Sequence, residues 1–270
     1  HRDTESTEKT RESHRGTERQ RKLGETESLC PKCLRLVPAE IIEWTGRVYF
    51  RKNCPEHGVI EDFVCSDVRW YDRREFTPVA KQPRERFTES SKGCPYDCGL
   101  CPEHDQHTCV GLVEITTGCN LECPMCYAES GPGGTYMEFK TYTEIVERFI
   151  RQEGEPDVLQ LSGGEPTIHP DLVKMVKYAH GRPIQVVMIN TNGVRLAKDA
   201  KLVAALAKYR DKLEIYLQFD GFEKATSLAL RGEPLHDLKL RALDNLAKHG
   251  IRTTLVCTVQ HGVNLHEIGK

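Results

Sequence analysis

From residue 110 onward, short apolar runs alternate with amphipathic stretches, and this alternation restricts the chain to a parallel β/α architecture. The runs 112–116, 158–161, 185–189, 214–219 and 252–259 read as strands, and 142–152, 171–180, 198–209 and 235–249 as helices. In the last helix Leu235, Leu238, Ala242 and Leu246 recur at three-to-four spacing, giving one face to a sheet, and Gly250 ends it. A parallel sheet covered on both faces has near-continuous apolar strands. Here Glu114, Thr116, Gln160, Ser162, Asn190, Tyr216, Gln218, Asp220, Thr254 and Thr258 take alternate positions. One face therefore looks onto a polar interior, as in strands curling into a partial barrel. Ordinary polarity at strand ends is the alternative.

The region before residue 110 is built differently. Residues 1–28 are almost wholly Thr, Glu, Arg, Ser, Lys and His, too polar to offset the entropy of ordering, and are expected to be a disordered tail. Residues 29–71 form a small β-rich module, 72–92 a basic linker, 93–109 a cysteine-rich segment and 110–270 the β/α core. Ten of the twelve cysteines fall into three groups at metal-ligand spacing, which favours a reducing cytoplasm over a disulfide framework.

The three groups differ in kind. Cys30-Pro31-Lys32-Cys33 and Cys54-Pro55-Glu56-His57 are paired knuckles suited to a tetrahedral zinc or single iron, with His57 preferred to Cys65 as fourth ligand. A module this small needs such a staple. Cys94, Cys98 and Cys101 have C-x3-C-x2-C spacing, and Cys109 can close them into a saturated four-iron auxiliary cluster suited to passing electrons, with His104 and His107 as alternatives. Cys119, Cys123 and Cys126 repeat the spacing just after a strand, with no fourth cysteine nearby. Three ligands leave one iron open to a substrate or cofactor. A structural zinc knuckle is the other reading. Cys257, alone in the fifth strand, reads as a small buried residue.

The CNLECPMC loop, followed by LSGGEP at the end of the next strand, resembles the radical S-adenosylmethionine (radical SAM) enzymes. The CPKC knuckle, the CPEHG turn, GCPYDCGLCPEHDQHTC, NTNG, LQFDG and LRG make the likeness closer to the group containing the archaeal tetraether lipid synthase, whose founding member was described as a pterin methyltransferase. The resemblance implies a (β/α)6-type partial barrel, here ending after its fifth strand, so a fragment is expected. It implies a catalytic 4Fe-4S cluster on Cys119, Cys123 and Cys126 whose open iron holds S-adenosylmethionine, with reductive cleavage to a 5′-deoxyadenosyl radical. Gly163 and Gly164 would let the backbone approach the methionine moiety, Glu165 would meet its ammonium, and Asn190, Asn192, Gln218 and Asp220 would hold the ribose and carboxylate. Met125 stands where the family often has an aromatic residue. Carbon–carbon bond formation on lipid chains is the expected reaction, with methyl transfer to a pterin or other small molecule as the alternative, and a reductant protein of ferredoxin or flavodoxin type as partner. A lipid substrate would entail peripheral contact with a membrane.

Other classes fit less well. With 38 Lys and Arg against 40 Asp and Glu there is no polyanion footprint, so no nucleic-acid partner is expected. No apolar run reaches membrane-spanning length. A non-enzymatic iron–sulfur carrier would need neither the Gly163-Gly164-Glu165 turn nor a polar-faced sheet.

Overall fold

The computed structural model describes residues 20–71, 81–92, 96 and 107–269. The chain divides into two compact units, one containing the N-terminal region and residues 88–103, the other residues 81–87 and 104–270.

The first unit is a four-stranded antiparallel meander in chain order: β1 (Arg21–Leu29), β2 (Leu36–Trp44), β3 (Arg47–Cys54) and β4 (Gly58–Cys65), followed by the short helix α1 (Val68–Tyr71). Thr45 and Gly46, both at positive φ, make the two-residue hairpin that sets the register of β2 and β3. Trp44, Tyr49 and Phe63 stack in sequence along the sheet, with ring centroids 6.1 and 5.9 Å apart. The buried centre is slight: Cys30, Val37 and Cys54, with Cys33 and Ile60 against them. Ala39, Ile42 and Val48 are buried as well, yet cysteine forms much of the centre, so its cohesion depends in part on what the sulfurs hold.

β1 corrects the expected tail, which was drawn to residue 28. It pairs with β2 from Arg21↔Glu43 to Leu29↔Leu36. Its sequence, RKLGETESL, has almost no apolar side chains to announce it, and cross-strand ion pairs take their place, Arg21 to Glu43 at 2.6 Å and Lys22 to Glu40 at 3.0 Å. Residues 1–19 lie outside the described residues.

The second unit contains a five-stranded parallel sheet, β5 (Val110–Thr116), β6 (Val158–Gly163), β7 (Val186–Thr191), β8 (Leu213–Gln218) and β9 (Arg252–Val256), again in chain order. Successive neighbours are joined by helical crossovers, and most of the helices form a layer packed on one face of the sheet. The helices are α2 (Phe139–Glu153), α3 (Leu172–His180), α4 (Val194–Lys198), α5 (Ala200–Leu206), α6 (Lys224–Arg231) and α7 (His236–Lys248). Tyr142, Val146, Met175, Val176, Val203, Leu206, Ala242 and Leu246 from this layer pack with Leu159, Leu161, Val187, Ile189, Ile215 and Leu217 of the sheet in one core. The alternate residues Gln160, Asn190, Tyr216 and Gln218 are half-buried on the other face, as the polar alternation requires. A doubly wound sheet would have covered both.

Three expectations shift. The helix expected over 198–209 breaks at Asp199, whose carboxylate accepts from Leu202 N at 2.9 Å and caps α5. α6, too short and polar to show a stripe, was not anticipated. The linker is bound in its second half: Arg84 N donates to Gln152 O at 2.6 Å, Lys81 pairs with Asp157 at 2.6 Å, and Arg148 lies over the Phe87 ring. Among the described residues no helix is long and apolar enough to cross a membrane.

Candidate active site and metal centre

The knuckle before β2 and the turn before β4 bring Cys30, Cys33, Cys54 and His57 together, with all four donor atoms within 4.8 Å of one another. Cys33 and Cys54 sulfurs are 3.8 Å apart, and His57 Nδ1 is 3.6 Å from the Cys30 sulfur and 3.5 Å from that of Cys54. A tetrahedral zinc with Zn–S of about 2.3 Å and Zn–N of about 2.05 Å sets its sulfurs about 3.8 Å apart and its sulfur and nitrogen about 3.6 Å apart. The donor set therefore fits a tetrahedral metal. Burial pushes the Cys30 thiol up, but the backbone N–H groups of Cys33 and Lys32 and the adjoining thiols bring it down to about 6, so it is a thiolate at neutral pH. Cys65 stays out of the group and donates to Asp67 O at 3.2 Å.

In the second unit, Cys119, Cys123 and Cys126 lie on the loop after β5, partly buried and free of disulfides. Burial raises the Cys119 thiol, and the negative charges of Glu165, Cys123 and Cys126 raise it further. Three sulfurs that repel one another as thiolates suit a cationic centre shared among them, and the donor chemistry fits an iron–sulfur cluster.

The loop is held by backbone. Gly164 N donates to Thr116 O at 2.8 Å, Glu165 N to Gly118 O at 2.9 Å, and Cys119 N to Gly131 O at 2.8 Å. A Cβ on Gly163 would lie 2.1 Å from Thr116 O, and one on Gly164 2.2 Å from Gly118 O. The pair is thus needed for the close approach of β6 to the thiol loop. Glu165 is 1% exposed. Its Oε1 accepts from Thr167 N, Thr167 Oγ1 and Thr191 Oγ1, and its Oε2 from Asn192 N at 2.7 Å. In this structure the carboxylate ties the β6 and β7 loops together. Asn192 continues the tie, donating to Asn120 Oδ1 at 2.7 Å with its amide 4.0 Å from the Cys119 sulfur. Asn190 donates to Ser162 Oγ at 3.3 Å on the polar face.

Asp220, just past β8, is committed to Arg231 through two bonds of 2.7 Å and accepts from Thr258 N. Lys239 is buried beside them with Nζ 2.5 Å from Asn192 O, and burial lowers its pKa to about 8. Sequence reasoning gave neither cation a role, although Arg231 sits in the LRG triplet already noted; only the fold brings the end of α6 and the body of α7 to the thiol loop.

Cys94, Cys98, Cys101 and His104 lie outside the described residues. His107 bonds Asp157 at 2.9 Å. Cys109 directly precedes β5, whose seven residues at about 3.3 Å each put it about 23 Å from the end that bears Cys119. Cys257 is exposed rather than buried, because the chain leaves the sheet at Val256, three residues earlier than expected.

A model of the radical SAM superfamily matches residues 113–270, and one of the HMPTM N-terminal zinc ribbon domain matches residues 22–66. A 7,8-dihydro-6-hydroxymethylpterin dimethyltransferase of Methanocaldococcus jannaschii is 35% identical over 249 residues, 90% of this chain and 48% of that protein. The mycofactocin maturase MftC of Mycobacterium tuberculosis is 31% identical over 160 residues, 57% of this chain and 39% of that one. The chain spans about half or less of the length of these relatives. Among solved structures, Streptococcus suis SuiB bound to S-adenosylmethionine covers 60% of this chain and 35% of its own at 19% identity and a TM-score of 0.48.

Proposed function

The chain belongs to the radical SAM superfamily, and from that premise we propose that Cys119, Cys123 and Cys126 hold its catalytic cluster. The observation that carries this is three free, partly buried cysteines on the loop after β5, with no fourth cysteine among the described residues near them. When bound, a reduced 4Fe-4S cluster supplies the electron that splits the sulfonium of S-adenosylmethionine into methionine and a 5′-deoxyadenosyl radical. The chain's residues orient and enclose. The glycine pair and the Glu165–Asn192 tie fix the thiol loop over the C-terminal ends of the strands, and Gln160, Asn190, Tyr216 and Gln218 offer polar groups on the barrel's inner face to the nucleoside. Asn192 and Asp220, already bonded within the protein, act by holding the pocket's shape.

For the substrate, the likeness to a pterin dimethyltransferase over 90% of this chain favours methyl transfer to a pterin or similar small molecule. Coupling of lipid chains carbon to carbon is the second reading, supported by the motif order in the sequence. In the ribbon we assign zinc, because a Cys3His set with this spacing is a structural zinc site. A four-cysteine auxiliary cluster that includes Cys109 remains part of the proposal, as do a ferredoxin- or flavodoxin-type reductant and a reducing cytoplasm. Its electron-relay role is weakened by the length of β5 between Cys109 and Cys119.

Anaerobic incubation of the full-length protein with dithionite and S-adenosylmethionine should yield 5′-deoxyadenosine, and mass spectrometry of pterins and lipids from an expressing host separates the two substrates. Methylated pterin supports the first reading and coupled lipid tails the second. Absence of 5′-deoxyadenosine from cluster-loaded protein overturns both.

A further inference from the structure

The turn between α6 and α7 closes on the thiol loop. α6 ends at Gly232, at φ 75, and a Cβ there would lie 3.4 Å from Glu122 O and 3.5 Å from Pro124 Cδ, the residues on either side of Cys123. Beyond the turn, Leu235 packs with Leu121 and Val194, and Cys119, Cys123 and Leu238 lie against that cluster. Arg231, the residue before the glycine, is brought to Cys123 by this backbone path.

Its guanidinium is also fixed in direction. Arg231 is 7% exposed. Nε and Nη2 each bond one Asp220 oxygen at 2.7 Å, and Nη2 reaches Thr258 Oγ1 at 2.9 Å. Asp220 Oδ1 takes a further bond from Thr258 N at 3.0 Å. A planar fork gripped on both nitrogens cannot swing away as a lysine on a flexible stem could. Burial raises the Cys123 thiol, while the Arg231 guanidinium beside it pulls it back.

A cluster on three thiolates gains a negative charge when it takes up an electron. A cation fixed at one corner, itself shielded from water, favours the reduced form. We propose that Arg231, aimed by Asp220, is a positioning residue that seats the Cys123 corner and makes the cluster easier to reduce. This rests on the three-cysteine reading above.

The test uses the full chain, reconstituted anaerobically, with iron content, the spin signal of the reduced cluster and the reduced-to-oxidised ratio at a fixed solution potential as readouts. Arg231→Gln should bind iron like the parent and lower that ratio about tenfold, which for one electron is 59 mV. Arg231→Lys, which keeps the charge, should stay within about twofold of the parent. Asp220→Asn removes the counter-charge and should raise the ratio. Simple loss of packing would move the Gln and Asn variants the same way, since both break the fork. A parent-like ratio in Arg231→Gln, or Gln and Asn shifts of one sign, overturns the inference. If Arg231→Gln fails to load, Asp220→Asn decides by the sign of its shift. The cysteine reading fails separately: changing Cys119, Cys123 and Cys126 to Ala would then leave the S-adenosylmethionine-responsive signal in place.

Discussion

The two sulfur sites are organised by opposite means. In the ribbon, four donors already stand at the spacings of a tetrahedral metal, 3.5 to 3.8 Å, and two of them, Cys30 and Cys54, lie in its small buried centre. In the barrel, three cysteines ride on a loop fixed by glycine backbone contacts and by a buried carboxylate, while the apolar core lies on the other side of the sheet. The first site is closed and carries the fold around it. The second, on the reading proposed above, is open, and the fold carries it. On that reading coordination number separates a staple from a reactive centre, although both are built from C-x-x-C spacing.

The largest effect that tests this contrast is removal of the open site. Changing Cys119, Cys123 and Cys126 together to Ala should abolish 5′-deoxyadenosine formation and remove about four irons, while ribbon metal and far-ultraviolet circular dichroism stay at parent values. Loss of the ribbon metal as well would show that the two sites are not independent.

Next comes the backbone seat. In Gly164→Val a side chain meets Gly118 O, so the variant should lose about 3 kcal/mol, or about 6–12 °C in the barrel's melting temperature, and fill its cluster poorly. A stable variant that loads its cluster and only binds S-adenosylmethionine weakly would return the glycine to a ligand-contacting role.

The closed site should fail locally. His57→Ala should release the ribbon's metal and unfold β1 to β4, because structural zinc contributes about 10–16 kcal/mol in domains of this size. The barrel should melt within about 2 °C of the parent by calorimetry. Cys65→Ala should leave metal content unchanged.

A smaller and graded effect is expected with pH. The Cys30 thiol titrates near 6, well below an unfolded cysteine, so its contribution is complete above the unfolded value and is lost as pH falls through 6. Metal release followed by a chromogenic chelator should therefore rise steeply below pH 6. Release that is flat from pH 7 to 5 would contradict the bound-thiolate picture.

Much of this was legible in the chain. The period-two polarity of Gln160, Asn190, Tyr216 and Gln218 gave the barrel's inner face, and cysteine spacing drew attention to both groups of thiols. Cys30, Cys33, Cys54 and His57 were found because ligands of one metal are local in sequence. Arg231 and Lys239 were not assigned, since their position follows from where the α6–α7 turn lands and no local pattern encodes that. β1 was missed for another reason: a strand stabilised by a hydrogen-bond ladder and paired charges has no hydrophobic signature. Gly163 and Gly164 were recognised as positions where a side chain is forbidden, and the coordinates add a protein partner, Thr116 O and Gly118 O, that such a side chain would strike.

Chain-order strands also give the barrel a timetable. Of these parts the thiol loop leaves the ribosome first, followed by the glycine pair after β6, the Asn192 tie after β7, and then Arg231 and Lys239, both after β8. At about 5–20 residues per second, the roughly one hundred residues between Cys126 and Lys239 take about 5–20 s to appear. For that interval the cysteines are synthesised but unclamped, open to an iron donor and equally to oxygen.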